Sequence, residues 1–535
     1  MKRREILLVA LFCAFSLAHG TTWYVHPDSA LCTIQAGLDS CTENDTVLVA
    51  TGTYHANIFW PLINGIMLLS ESGPASTIID GDSMSCVIYF SGMSTIDTTT
   101  VVEGFTIQNG GNVTAGGGVC IIRSSPKIQG NIIKNNDASA GGGVYCLECE
   151  PVITSNTLTG NAGGYVYCSI YCENANAQII GNTISGNHSG VSCTYCNPLI
   201  EGNRITYNTS PGVACSHASP TIRYNYIANN TGAYGGIFCL MDSHPLIIGD
   251  TIVANAGSYG GGITCIGWCT PMIDSNVISD NSGSGVYLEE GSYATVTHNT
   301  ITGNSDENGG GVFCIASAND IMYNTISDNN ASQFGGGMYL CAGSSPSVRF
   351  NTITNNTADS LGDGIYTIGS YPVVDSNNIF NNGYGAFNAS TSQMLMAEYN
   401  WWGDPTGPYH PAFNPGGLGD STNLLVDPVP FLTDSVTGVM EHSDQCTPVV
   451  FSLQQNLPNP FTEITTIHYS CAAFSHVIIK VYNSIGQEIT TLVNEPKGIG
   501  QHSIIWDAKG LSNGIYFYQM TVGGSQETRK CLLVH

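Results

Sequence analysis

Positive charge is scarce in this chain. Lysine and arginine supply 14 of the 535 residues, against 40 aspartates and glutamates, so the formal net charge is −26. The few basic residues form no stripe along the sequence. Because nucleic-acid binding draws most of its affinity from cations placed against phosphates, this composition argues against a nucleic-acid partner.

Long hydrophobic runs are rare as well. The one notable run, residues 6–17, follows Lys2, Arg3 and Arg4 and is followed by small residues at positions 18 and 20. A run of this length is too short to span a bilayer but fits a secretory signal peptide, which we predict over residues 1–20. No later run is long enough for a transmembrane segment, so we expect a secreted or cell-surface protein.

A helical hydrophobic period is also missing from the middle of the chain, where a different period is present. The phrase Asn, any residue, an aliphatic residue, any two residues, Asn occurs eleven times, at steps of 21 to 27 residues. Self-similarity at such a period predicts a solenoid with one coil per unit. The phrases start at Asn131, Asn156, Asn182, Asn203, Asn225, Asp250, Asn276, Asn299, Asn324, Asn351 and Asn377.

Each unit holds three short runs that alternate apolar and polar residues, the pattern of strands with one buried face. A Gly-rich stretch leads into the first run, a proline usually precedes the second, and the Asn phrase is the third. Three strands joined by tight corners predict a parallel β-helix. We expect Asn at the corners to adopt left-handed conformations and to hydrogen-bond from coil to coil. We also expect inward stacking of Ile205, Ile227 and Ile252 between two Asn ladders.

The cysteines follow the same period. One set lies two residues past the inward Val or Ile and predicts a ladder of small buried side chains. It comprises Cys146, Cys168, Cys193, Cys215, Cys239, Cys265 and Cys314. A second set, Cys149, Cys172, Cys196 and Cys269, follows at C-x-x-C-like spacing and leaves three interpretations open: buried thiols, disulfides or metal ligands. The isolated Cys32 and Cys41 are a disulfide candidate.

These features resemble known families at both ends of the mature chain. Over about residues 23–432 the repeats, with Thr33–Leu38 at the entry and Asn400-Trp401-Trp402-Gly403 at the close, resemble right-handed parallel β-helix proteins of the pectin-lyase-like superfamily. Residues 451–535, with Asn459-Pro460-Phe461 and Gly514–Tyr518, resemble the type A C-terminal sorting domain of the type IX secretion system. That resemblance implies a small Ig-like sandwich that interacts with the secretion machinery for export across the outer membrane.

The resulting domain prediction is all-β. It comprises a signal peptide (1–20), entry coils (21–110), Asn-ladder repeats (111–399), a closing segment (400–432), a linker (433–450) and the sorting domain (451–535).

No catalytic residues can be assigned from the sequence. Acids that face outward in adjacent coils are matched by arginine, as in Glu201 with Arg223 and Arg349 with Asp375, which predicts cross-coil charge pairs. The best acidic cluster is Glu148, Glu150 and Glu173, a candidate Ca²⁺ site, and no other cofactor is indicated.

Aromatic residues give the best candidate ligand site. Tyr287, Phe313, Tyr339 and Tyr366 occupy one outward position in four consecutive coils, so their rings should line up on an exposed sheet. Exposed rings can stack on sugars or on a partner protein, but they can also stack on one another or lie beneath a loop.

Three functions are therefore compatible with the sequence. We favour a non-catalytic secreted or surface protein that binds a glycan or a partner surface. The alternatives are a polysaccharide lyase or glycoside hydrolase acting on an extracellular acidic polysaccharide, and a purely structural spacer.

Overall fold

A computed structural model describes most of the chain after the predicted signal peptide. The described residues are 20–91, 96–166, 168–391 and 393–436, and in the tail 451–453, 456, 458–459, 461–471, 475–483, 487–497, 500–522 and 525–534. The predicted signal peptide and most of the predicted linker lie outside these residues. The chain divides into two compact units, residues 1–167 and 168–535.

Three parallel sheets make up the solenoid, as predicted. We name them the cysteine, proline and asparagine sheets after the residue that marks each run of the repeat. In the first unit the proline sheet comprises Thr22–Val25, Thr46–Val49, Met67–Ser70, Val101–Glu103, Lys127–Gln129 and Val152–Thr154. The asparagine sheet comprises Gly52–His55, Thr77–Asp80, Thr106–Gln108, Ile132–Lys134 and Thr157–Thr159. The cysteine sheet comprises Ile58–Phe59, Ile88–Ser91, Val119–Ile122 and Val144–Leu147.

Two smaller elements complete the first unit. Asp137–Ala140 pairs with Ala162–Val166 outside the three sheets. Among the described residues the one α-helix is Ile34–Asp39, which begins after Thr33 because the Thr33 hydroxyl accepts a hydrogen bond from the Ala36 amide at 3.2 Å.

The second unit repeats the three sheets over more coils. Its proline sheet comprises Gln178–Ile180, Leu199–Glu201, Thr221–Arg223, Leu246–Ile248, Met272–Asp274, Thr295–Thr297, Asp320–Met322, Ser347–Arg349 and Val373–Asp375. Its asparagine sheet comprises Thr183–Ser185, Arg204–Thr206, Tyr226–Ala228, Thr251–Val253, Val277–Ser279, Thr300–Thr302, Thr325–Ser327, Thr352–Thr354 and Asn378–Phe380. Its cysteine sheet comprises Ile170–Glu173, Val191–Thr194, Val213–Ser216, Ile237–Leu240, Ile263–Ile266, Val286–Glu289, Val312–Ile315, Met338–Cys341, Ile365–Ile368, Tyr384–Asn388 and Ser421–Thr422.

Two further sheets accompany these coils. A three-stranded parallel outer sheet is formed by Ser305–Asn308, Asn330–Phe334 and Thr357–Ala358, and Leu395–Met396 pairs with Val426–Asp427. The solenoid is a right-handed β-helix of about 14 coils.

The predicted inward positions are confirmed. Ile205 pairs with Ile227 and Ile227 with Ile252 in neighbouring strands, and all three are fully buried. Cys193, Cys215 and Cys239 pair in the same way and are buried. An internal stack in every coil removes apolar surface from water along the whole solenoid, the main favourable term in its folding.

The Asn ladders are confirmed, with one correction to their geometry. The Asn203 side-chain amide donates to Asn225 Oδ1 at 3.0 Å and to the Ile179 carbonyl at 2.8 Å, while the Asn203 backbone amide donates to the same Asn225 oxygen at 2.9 Å. Each buried amide is thereby satisfied. However, the left-handed residue at the corner is the one before each ladder Asn, such as Gly202 at φ 62°.

The cysteine register differs from our prediction in one coil. Cys172, and not Cys168, pairs with Cys193 in the cysteine sheet, so Cys172 belongs to the inward ladder. The sequence from Tyr167 to Cys172 contains Tyr-Cys twice, four residues apart, and either copy satisfies the local pattern. Cys168 is buried as well.

The tail forms two antiparallel sheets compatible with the predicted Ig-like sandwich. One comprises Phe451–Leu453, Ile464–Cys471 and Gly500–Asp507, and the other comprises Ser475–Asn483, Glu488–Lys497, Gly514–Val522 and Ser525–Leu533. The Trp506 ring packs between Phe461 and Tyr516, with ring centroids 5.3 and 5.8 Å away, in a buried core of its own.

Candidate functional site

The predicted aromatic row is present as a stack of rings. Consecutive ring centroids from Tyr287 to Phe313, Tyr339 and Tyr366 lie 4.8, 5.1 and 5.3 Å apart, in coils that pair in register. This spacing follows from the strand separation in a parallel sheet, and the offset stack stabilises neighbouring coils.

The expectation that all four rings are exposed is wrong. Tyr287 is 9% and Tyr366 is 6% exposed. The Phe334 ring, from the outer sheet, stacks on Tyr366 at 4.6 Å, and the Tyr259 ring contacts Tyr287 edge-on at 6.4 Å. Insertions between the asparagine and cysteine sheets therefore fold over the row.

Burial also fixes the hydroxyl groups of the row. The Tyr287 hydroxyl donates to a Glu289 carboxylate oxygen at 3.0 Å, and burial raises the Tyr287 pKa further above its usual value. Burial raises the pKa of Tyr339 to about 12. Neither phenol can serve as a base at neutral pH, so the row contributes packing surface and no acid–base chemistry.

The row opens at its C-terminal end. Phe387 continues it, with its ring parallel to Tyr366 at 5.8 Å, and Tyr384 packs edge-on against Phe387 at 5.6 Å. These two rings and the exposed Tyr409 face a cavity of about 550 Å³. We call it the row-end cavity; its lining residues are Tyr384, Phe387, Tyr409, Pro411, Ser421, Thr422, Asn423, Leu424 and Leu425.

A second set of aromatic residues lies at the corner between the proline and asparagine sheets, where each coil has a single left-handed residue. We call this line of residues the corner ladder. In the second unit it comprises Gly181, Gly202, Tyr224, Gly249, Ser275, His298, Tyr323, Phe350, Ser376 and Tyr399.

Aromatic residues are costly choices at this corner. A left-handed conformation costs a residue with a Cβ about 1–2 kcal/mol relative to glycine. Yet the rings of His298, Tyr323 and Phe350 stack nearly parallel at 5.3 and 5.1 Å, and His298 and Tyr323 are exposed. The left-handed conformation is the regular geometry of this corner, since Ser275 and Ser376 adopt it as well. In the repeat, these rings lie one position after the outward position of Glu201, Arg223, Arg349 and Asp375, the residues of the predicted charge pairs, and they were not predicted from the sequence.

The structure does not bring the acidic candidates together, so the Ca²⁺ site stays a prediction. Glu148 is paired with Arg123 at 2.6 Å, and Glu150 and Glu173 are not grouped with it as ligands. Among the described residues, the one group with ligand atoms all within 4.8 Å of one another is His55, Asp80 and Asp82.

The His55 group is closed by its own hydrogen bonds. His55 Nδ1 lies 2.8 Å from Asp82 Oδ1, and Asp80 accepts bonds from Gln108 and Asn109 at 2.7 and 2.8 Å. These bonds hold the Asp80 pKa below its usual value despite its burial. These hydrogen bonds account for the positions of His55, Asp80 and Asp82 without a bound ion.

The outward charge pairs are confirmed. Arg223 lies 2.9 Å from Glu201, and Arg349 lies 3.0 Å from Asp375. In each pair the cation lies against an acid of a neighbouring coil, although Glu201 Oε1 is buried without a hydrogen-bond partner.

The described thiols differ in their pKa values: hydrogen bonds from Cys193 lower the pKa of Cys196 and of Cys215, whereas burial raises that of several others. Cys32 and Cys41 are both free, and the Cys41 thiol donates to the Gly37 carbonyl at 3.3 Å, so their bridge stays a prediction. Burial raises the pKa of Cys120, Cys269 and Cys314 to about 12. Protonated, buried thiols favour the packing interpretation over metal binding for these three residues.

Three family models match the chain. The right handed beta helix region matches residues 168–322 and 256–400, the secretion system C-terminal sorting domain matches 457–534, and the periplasmic copper-binding protein NosD matches 63–239. No curated protein matches the chain. Among the described residues of 63–239, no three His, Cys, Asp or Glu side chains bring their ligand atoms within 4.8 Å of one another.

Two solved structures are similar at low identity. The A-module of the mannuronan C-5 epimerase AlgE6 from Azotobacter vinelandii is 16% identical, over 74% of this chain and 94% of that one, with a TM-score of 0.34. The enzymatically active domain of tailspike protein 2 from bacteriophage CBA120 is 10% identical, over 93% of this chain and 73% of that one, with a TM-score of 0.15. Within the part of the chain described by the structure, no helix has the length and apolar character needed to cross a membrane.

Proposed function

We propose that this right-handed parallel β-helix protein, which carries a secretion-system sorting domain at its C-terminus, binds an extracellular glycan without transforming it. The observation that carries the proposal is the row-end cavity, where the half-buried Phe387 at the end of the stack lies beside the exposed rings of Tyr384 and Tyr409. Aromatic faces pack against the C–H face of a sugar ring, and an apolar cavity with a few polar groups is the usual form of a ligand site.

The polar groups of the row-end cavity suit sugar hydroxyls. Ser421 lines the cavity with a hydroxyl group that can both donate and accept hydrogen bonds. The Thr422 hydroxyl donates to the Tyr409 carbonyl at 3.3 Å and the Asn423 side chain is hydrogen-bonded to Asn388, so these two residues hold the cavity wall in place. Tyr384 and Tyr409 line the same cavity and are 37% and 44% exposed. A sugar in the cavity would therefore contact apolar and hydroxyl-bearing surfaces at once.

The same lining argues against hydrolysis. None of the nine residues around the cavity is a carboxylate, and most glycoside hydrolases place two carboxylates across the scissile bond. A lyase needs a base beside the uronate, and in this lining only a tyrosine, Tyr384 or Tyr409, could act as one. We favour binding, and a search for depolymerised product separates it from lyase activity.

The binding proposal predicts a loss of affinity without a matching loss of fold. Replacing Phe387 and Tyr409 together with Ser should weaken glycan binding by about 10-fold or more, because each aromatic contact contributes roughly 1 kcal/mol. Glycan arrays followed by calorimetry would measure it. Tyr371→Ser is the matched control, since Tyr371 is 56% exposed and lies away from the cavity. Equal affinity in both variants, or depolymerised product from any bound glycan, would contradict the proposal.

Export provides a separate prediction. Because the sorting domain has its own core, deleting residues 451–535 should leave the solenoid folded while the protein accumulates inside the cell. Fractionation of a host with the type IX system, together with circular dichroism of the truncated protein, would show both effects. Normal secretion of the truncated protein would refute the assignment of the tail as its export signal.

A further inference from the structure

The corner ladder is interrupted at one coil. After the parallel rings of His298, Tyr323 and Phe350, the next coil places Ser376 at the same corner, and the coil after that places Tyr399 there. Backbone hydrogen bonds fix this order, since the Phe350 amide donates to the Ser376 carbonyl and the Ser376 amide to the Tyr399 carbonyl, both at 3.1 Å. The corner ladder therefore lacks a ring at Ser376, between the rings of Phe350 and Tyr399.

A cavity of about 520 Å³ lies at this interruption of the corner ladder, and we call it the corner cavity. Phe350, Ser376 and Tyr399 line it together with the segment from Leu432 to Val436. Successive rings of the ladder are 5.3 and 5.1 Å apart, so two steps separate the places of Phe350 and Tyr399 by about 10 Å. One ring inserted midway would lie about 5 Å from each neighbour, the spacing that the ladder itself adopts.

The outer wall of this cavity is held in place. The Val436 amide donates to Asn378 Oδ1 at 2.8 Å, and the Leu432 amide donates to the Asn400 carbonyl at 2.9 Å. Both ends of the segment are therefore anchored to the solenoid. A wall that is ordered before binding spares the ligand the entropic cost of ordering it.

We infer that this corner cavity binds one neutral pyranose ring of an extracellular glycan, between the faces of Phe350 and Tyr399. The inference rests on the proposed glycan-binding function but uses a different site. A pyranose with equatorial hydroxyls presents C–H groups on both faces, which suits a slot with aromatic walls on two sides.

The rim of the cavity selects the chemistry of the occupant. Ser376, Thr433 and Ser435 provide hydroxyl groups, and Asp434 provides a carboxylate that can accept from sugar hydroxyls. An aromatic side chain from a partner protein would fill the slot but leave these groups without partners. Asp434 and the net charge of −26 disfavour an acidic sugar, and the nearby Arg349 is already paired with Asp375.

The test introduces an aromatic ring at position 376, where the corner ladder lacks one. Ser376→Phe should complete the ladder without unfolding the coil, because Phe350 already adopts the same left-handed conformation, at φ 56° against 60° for Ser376. Titration of the full secreted chain with neutral tetrasaccharides of glucose, galactose or mannose, by ligand-observed NMR and calorimetry, should detect binding of at least one. Ser376→Phe and Tyr399→Ser should each weaken it at least 10-fold. Tyr323→Ser, on the same ladder but outside the cavity, should change it less than 2-fold.

Each contrary result has a definite meaning. Tighter binding of trigalacturonate than of every neutral tetrasaccharide would overturn the choice of a neutral sugar. Binding of N-acetylphenylalaninamide in place of sugars would identify the cavity as a protein-docking site and overturn the inference. If the double variant with Phe387→Ser and Tyr409→Ser loses binding while Ser376→Phe keeps it, this inference fails and the proposed function stands. If wild-type protein binds none of the three neutral sugars, the inference fails whatever the row-end cavity binds.

Discussion

Replacing Asp250 with Asn should stabilise the solenoid at pH 8 by about 2–4 kcal/mol. Asp250 occupies an Asn-ladder position and is fully buried. Its Oδ1 accepts two hydrogen bonds from Asn225, at 2.7 and 2.9 Å, but its Oδ2 is buried with no partner. Asparagine would put a donating amide there, as Asn225 and Asn276 do in the neighbouring coils. An unsatisfied buried acceptor costs roughly 1–3 kcal/mol, and more when it is charged.

The effect of this substitution should depend on pH. Burial raises the pKa of Asp250 from 3.8 to about 7. The folded state therefore holds the proton more tightly than the unfolded state, so the carboxyl stabilises the fold fully below about pH 4. This stabilisation is lost as the pH rises to about 7, and the loss amounts to roughly 4 kcal/mol for a shift of this size.

Urea unfolding of wild type and Asp250→Asn between pH 4 and pH 8 would measure this dependence. The advantage of the variant should grow across that range and level off above pH 7. Asn276→Asp is the matched control, because it places the same acid one coil away and should destabilise the protein at pH 8. A difference between variant and wild type that stays constant with pH would show that Asp250 is ionised in the folded state at every pH tested.

Replacing Ile227 with Asp should have the largest destabilising effect, more than about 4 kcal/mol. Ile227 is fully buried between Ile205 and Ile252, so the substitution removes apolar packing and places an unpaired carboxyl in the interior. Because each coil is stabilised by its neighbours, the damage should extend to the coils on both sides.

Limited proteolysis with mass spectrometry would locate that damage. New cleavage sites should appear within the coils around residue 227, while distant coils stay resistant. Ile227→Val should cost about 0.5–1.5 kcal/mol, since it removes one methylene only. Tyr226→Asp, on the outward side of the same strand, should cost less than about 1 kcal/mol. Equal protease resistance of Ile227→Asp and wild type would mean that position 227 does not face the core.

The fold was largely predictable because its restraints are local and repeated. In each coil two Asn residues mark the two ladders, and the aliphatic residue between them marks a core position. Because this phrase occurs eleven times, the coils can be aligned with one another unambiguously. The error at Cys168 and Cys172 arose where one coil holds two copies of the local pattern, so only strand pairing distinguishes them. We predicted the left-handed conformation one residue too late, at the ladder Asn, because Asn tolerates that conformation well. In the structure the left-handed residue comes first and the ladder Asn follows it.

The candidate sites were less predictable because they depend on contacts between segments of different length. The register of Tyr287 and Tyr366 was evident from the repeat, but their burial depends on insertions that form the outer sheet and place Phe334 on Tyr366. The corner cavity depends on Leu432–Val436, a segment outside the repeat that returns to the coil of Asn378. A repeating sequence pattern does not indicate where a segment outside the repeat will pack.

The Asn ladders have a direction. Along the second unit every side-chain amide donates toward the next coil, as from Asn329 to Asn356 and from Asn356 to Asn382. The amide dipoles therefore add, as peptide dipoles do in an α-helix, and the donor end of the ladder carries partial positive charge. There the Asn382 amides donate to Asp420 Oδ2 at 2.9 Å, from the closing segment. This ladder thus ends as a helix begins, with one carboxylate that accepts hydrogen bonds from the last N–H groups.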